Sequence, residues 1–95
     1  MSRQDLRDLI HSAIVENRLP RSGSKPRVFG SLGEGVFCAV CHETIKPTET
    51  QYDVDCRLAE ATHVLSMHMS CFQAWQAESR ALAGIAGHSV CEDAA

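Results

Sequence analysis

The stretch Phe37-Cys38-Ala39-Val40-Cys41-His42, FCAVCH at positions 37–42, decides how this chain folds. Three chemistries share its letters. C-x-x-C-H is the attachment pattern of c-type haem, where two thiols bond the porphyrin and the histidine binds iron. C-x-x-C is also half of a zinc site, in which case His42 is incidental. A third reading is a dithiol/disulfide pair.

Working outward, the decisive partner is His68-Met69-Ser70-Cys71, which follows Cys41 after 26 intervening residues, 42–67. Zinc takes four soft or borderline donors in a tetrahedron, and thiolates with an imidazole nitrogen supply them. A C-x-x-C turn points two sulfurs to one side while its backbone N–H groups can donate to the thiolates. The second pair falls where a strand should end and a helix begin. There the free helical N–H groups and the dipole favour a thiolate. The candidate ligands are therefore Cys38, Cys41, His68 and Cys71, with zinc as cofactor.

The surrounding elements follow from periodicity. Leu6, Leu9, Ile10, Ala13 and Ile14 recur on one face of a helix over 3–16, with Ser2 as its cap and Asn17 or Pro20 as its stop. Tyr52, Val54 and Cys56 alternate with Gln51, Asp53 and Asp55, as in a half-buried strand, and 61–67 (ATHVLSM) reads as its antiparallel partner. From Ser70 a helix should run with Phe72, Trp75, Ser79 and Leu82 along one side and Gly84 as C-cap. The expected organisation is a helix in 1–19, a basic and Gly-rich linker in 20–35, a metal-binding domain in 36–84 and a flexible tail in 85–95. Gly30, Gly33 and Gly35 read as loop. The fold class is α+β: a small zinc-stabilised domain of knuckle, β-hairpin and helix.

Order and spacing resemble the treble-clef zinc finger. The stretch from Cys38 to Trp75 is similar to the finger of poly(ADP-ribose) polymerases, which has C-x-x-C, a hairpin, H-x-x-C and an aromatic after the last Cys, here Phe72. It also resembles small uncharacterised bacterial proteins with G-x-G before C-x-x-C and then H-x-x-C-F-x-x-W. The likeness covers residues 30–75. Two departures stand out: zinc knuckles commonly carry Gly after the second Cys, where this chain has His42, and residues 36–95 carry a net charge of -5. The resemblance implies a fold and a metal rather than DNA binding.

The haem reading requires attachment outside the cytoplasm. MSRQDLRDLIHSAIVENRLP interleaves acids with apolar residues, unlike a secretory signal, and no apolar run is long enough to span a bilayer. The expected setting is cytoplasmic, with thiols reduced, and five cysteines, an odd number, speak against a disulfide framework. Haem also leaves His68 and Cys71 unexplained, and a redox C-x-x-C lacks its βαβ surroundings.

Other donors have plainer readings. His88 and Cys91 form a second H-x-x-C that reads as accident in a Gly- and Ala-rich tail. Cys56 and His63 face each other across the expected hairpin and could complete a second tetrad with them. A buried strand thiol and a surface imidazole are the expectation instead. His42 is expected beside the site or exposed, His11 on a helix surface and Trp75 in the core.

Four protein ligands leave no position for water, so the chain is expected not to be an enzyme. It reads as an interaction module that binds a protein partner or itself. The alternative is a nucleic-acid binder that uses the basic stretch 18–27, with Arg18, Arg21, Lys25 and Arg27 and no acid. A haem carrier or thiol redox protein stands third. Membrane attachment is not expected.

Overall fold

The computed structural model describes residues 3–23, 27–58, 61–82 and 90–91. They form a small α+β domain of α1 (Arg3–Val15), β1 (Arg27–Leu32), β2 (Thr50–Leu58), β3 (Ala61–His68) and α2 (Met69–Ala81). The strands make one antiparallel sheet in the order β1-β2-β3.

The expected stripe on α1 is the buried one. Ile10, Ala13 and Ile14 are buried and Leu6 packs against them. The helix stops as its sequence predicts: Asn17 adopts φ 58°, Asn17 N–H donates to Ile14 O and Arg18 N–H to Ala13 O. That is a Schellman stop with asparagine in the left-handed position that glycine usually fills. The Ser2 cap and the Gly84 C-cap lie outside the described residues; Leu82 closes α2 with its N–H on Glu78 O.

Antiparallel pairing sets Tyr52 between Gly30 and Met67, and Val54 between Val28 and Leu65. Residues directly opposite share a face, so Val54, Cys56 and Met67 lie in the core on the face that α2 covers, while Asp53 and Asp55 turn away. Trp75 is fully buried, and its indole N–H donates to Pro20 O at 2.8 Å. Tyr52, Phe72 and Trp75 form a chain of edge and tilted ring contacts with centroids 5.1 and 6.1 Å apart. The helices are also pinned through Glu78, which is buried on α2 and accepts from His11 on α1 at 2.9 Å.

Two expectations need correction. The expected linker 20–35 is structured in part: Pro20 and Ser22 are buried, Ser22 N–H donates to Ser79 Oγ, and 27–32, although exposed, forms the third strand. The apolar residues of RVFGSL outweigh the glycine that read as loop. Further, Cys56 is buried on its strand as expected but is not a thiol. It is disulfide-bonded to Cys91, with Cα atoms 4.7 Å apart. Cys91 N–H donates to Arg21 O, and Arg21 bridges Val90 in parallel, so the bond holds residues 90–91 against the sheet and the α1 exit.

Candidate metal centre

A tight turn builds the first half of the site. His42 N–H donates to Cys38 O, Cys38 N–H to Glu43 O and Ile45 N–H to Val36 O, with Phe37 bridged to Thr44. The turn is anchored below by fully buried Ile45 and sideways by Ala39 N–H on Ser66 O of β3. A Cβ at Gly33 would run into the carbonyls of Ile45 and Lys46, so only glycine lets the incoming loop lie this close. His42 adopts φ 65°. The knuckle thus keeps the left-handed residue that glycine commonly supplies, with a histidine in it.

The second half sits at the junction of β3 and α2. His68 is the last residue of β3 and the N-cap of α2, in extended conformation, and Cys71 lies in the first helical turn. The side-chain donors of Cys38, Cys41, His68 and Cys71 all lie within 4.8 Å of one another. A zinc tetrahedron with bonds of about 2.0–2.3 Å has donor–donor edges of about 3.5–3.8 Å, so closure by about an ångström at most completes it. Cys41 Sγ and Cys71 Sγ are 3.4 and 3.8 Å from His68 Nδ1. The other ring nitrogen, Nε2, is 3.3 Å from Thr44 O and 3.7 Å from Glu49 Oε1. With its proton on Nε2, His68 donates to that carbonyl and turns the Nδ1 lone pair to the sulfurs, as a metal ligand requires.

The thiols form one proton-sharing set. Cys71 S–H donates to Cys38, and burial opposes this but does not prevail; with backbone N–H groups such as that of Val40, the Cys38 pKa falls to about 4. Cys71 is driven far above the usual thiol range by holding that bond, then by burial and the Cys38 charge. Cys41 is raised chiefly by burial. For His68, burial disfavours the charged ring, but bonding to Cys38 and the charges of Cys38 and Glu49 raise its pKa. Without an ion the cluster thus stores its negative charge at Cys38 and its protons at Cys41 and Cys71.

A cleft of about 190 Å³ opens beside the cluster, lined by Cys41, His68 and Cys71 together with Leu6, Glu43, Glu49 and Ser70. Four protein donors fill a tetrahedron, so an ion held there presents no open position to this cleft.

The remaining candidates separate. His42 is exposed and outside the cluster, and His63, opposite Cys56 in the ladder, is exposed as expected. Cys56 and Cys91 bond to each other, so they cannot serve the second tetrad, and His88 lies outside the described residues. His11, expected as a surface residue, is half exposed but bonded to Glu78. The disulfide is what sequence reasoning missed, although a signal existed. Assigning three of five cysteines to metal leaves a pair, and the odd count that spoke against disulfides then permits one.

Comparison with protein-family models, curated proteins and solved structures finds no match for this chain.

Proposed function

We propose that the chain is a non-catalytic zinc-binding module that acts by binding a protein partner or a second copy of itself. The convergence of Cys38, Cys41, His68 and Cys71 to within 4.8 Å carries the reading. Three sulfurs and one imidazole favour zinc over the harder divalent ions, which prefer oxygen. Knuckle 36–45, hairpin β2–β3 and α2 with ligands at its start support a treble-clef arrangement, in which the metal joins elements with little core between them. A filled coordination sphere supports a structural role for the ion.

The nucleic-acid alternative depends on cations in 18–27 that are largely engaged. Arg18 pairs with Glu16, Arg27 lies 3.8 Å from Asp55, and Arg21 is half-buried with Nη1 near Ser79 O. Lys25 lies outside the described residues. Among the described residues of that stretch, each arginine thus has a partner within the chain, which weakens the case for release of counterions from a phosphate backbone.

Elemental analysis of the purified protein tests the proposal, with Cys38→Ser and His68→Ala alongside. The expected result is one equivalent of zinc per chain, lost with loss of structure in both variants. A folded, metal-free native protein refutes it.

A further inference from the structure

The sheet has two edges, and they are finished differently. On the β3 side the knuckle covers part of the edge, Ala39 N–H donating to Ser66 O. On the β1 side no described residue pairs with the strand, and all six of its residues are exposed. Proteins commonly protect such an edge with lysine, proline, an inward charge or a bulge. Arg27–Leu32 has no lysine, acid or proline, and its single charge is absorbed internally: Arg27 lies 3.8 Å from Asp55 and 5.7 Å from the Phe29 ring centroid. What it presents is apolar. Val28 is 37% exposed, Phe29 53% and Leu32 74%, and Phe37 follows at 73%.

We infer that β1 is a self-pairing edge, on which a second copy of this chain adds its own β1 antiparallel and extends the sheet to six strands. The inference deepens the interaction-module reading and rests on it, naming the partner. Charge selects the occupant: a neutralised apolar strand offers nothing to an acidic or basic peptide, whereas an identical strand meets no repulsion. Geometry selects the register. Antiparallel pairing about a two-fold axis places one residue opposite its own copy. With Gly30 on the axis, Val28 faces the second copy's Leu32 and Leu32 faces its Val28, two apolar pairs on one face. With Phe29 on the axis, Val28 meets a glycine and Leu32 falls beyond the end of the other strand. Gly30 also suits the axis sterically. Its core side is covered by the Tyr52 ring, which would lie 3.3 Å from an added Cβ, and it has no side chain to hold another backbone away.

Six residues give a contact about 20 Å long, at the small end of specific interfaces, so the dimer should depend on concentration in the micromolar range or weaker. The test is sedimentation velocity over a concentration series, with zinc content measured on the same samples. Wild type should shift from monomer to dimer as concentration rises, while Val28→Lys alone and Leu32→Glu alone stay monomeric with zinc retained. Mixing the two variants should restore a 1:1 dimer, since one Val28–Leu32 pair survives and the other becomes a Lys–Glu pair. A wild type that keeps its zinc but stays monomeric up to millimolar concentration overturns self-pairing and leaves the module reading intact; missing zinc overturns that reading instead. A dimer that survives both substitutions, or a mixture that remains monomeric, overturns the β1 register. Slow hydrogen exchange at the β1 amides that point away from β2, in a species of monomeric mass, would put another segment of the chain on the strand, and so overturns the proposal too.

Discussion

His42 matched the haem pattern at the level of letters, yet its backbone explains it better than its ring does. At φ 65° a residue with a Cβ is disfavoured by roughly 1 kcal/mol, and glycine is not. His42→Gly should therefore keep its zinc and gain up to about 1 kcal/mol in stability, part of the gain being offset by glycine's freedom in the unfolded chain. Denaturant melts of the zinc-loaded pair check this, and loss of zinc would make His42 a ligand. The thiols yield a second expectation with a definite sign. Cys38 is lowered to about 4, so its thiolate stabilises the metal-free fold above the ordinary thiol pKa, and that contribution is lost as pH falls through about 4. Cys41 and Cys71 are raised, so at neutral pH both hold protons that a metal must displace. Zinc binding should thus release those two protons, plus any carried by His68, and weaken as pH falls. Calorimetry in buffers of different ionisation enthalpy reads the number directly, and a slope of zero would sink this account of the cluster.

At the scale of elements, much could be read from sequence because the periodicities were strong. The α1 stripe, the alternation of Tyr52, Val54 and Cys56, and the helix after His68 all rest on side chains repeating at the period of their element. The four candidate ligands were equally legible, since a knuckle and a helix start each fix two donors locally. β1 was not, because Gly30 and its neighbouring glycines signal a loop unless one knows that Tyr52 lies across the strand and fills the missing side-chain space. The burial of 19–22 was hidden for a similar reason. Basic, Pro- and Ser-rich chain looks solvated until Trp75 is seen to donate to Pro20 O and Ser79 to receive Ser22 N–H. This contact predicts its own cost. Trp75→Phe removes the indole donor, strands a buried carbonyl and leaves a cavity, for a loss of about 2–4 kcal/mol by thermal or urea melting. An unchanged melt would show that the segment does not depend on this bond.

At the scale of the molecule, the zinc of the proposed function and the Cys56–Cys91 disulfide would be two cross-links of different chemistry, and the argument for one bears on the other. The Cys/His cluster brings 38–41 to 68–71, and the disulfide joins 56 to 91, so each links segments the other leaves separate. Within the described residues the core is small: α2 packs on β2 and β3, and α1 packs on α2 rather than on the sheet. The Cys/His cluster is legible in the sequence because its residues come in spaced pairs. The disulfide is not, because residues 35 positions apart carry no local signal of meeting, and because reduced thiols had been expected throughout. Closing a loop of that length lowers the entropy of the unfolded chain by the equivalent of about 4 kcal/mol. Reduction, or Cys56→Ser with Cys91→Ser, should therefore lower stability by about that amount and leave zinc stoichiometry unchanged. Chelation should unfold the protein with its disulfide still closed. Thiol titration of the chelated, denatured chain separates the two links, with three reactive thiols expected before reduction and five after. Five before reduction would mean that the Cys56–Cys91 bond does not form, and loss of zinc on reduction would mean that the two links are coupled rather than independent.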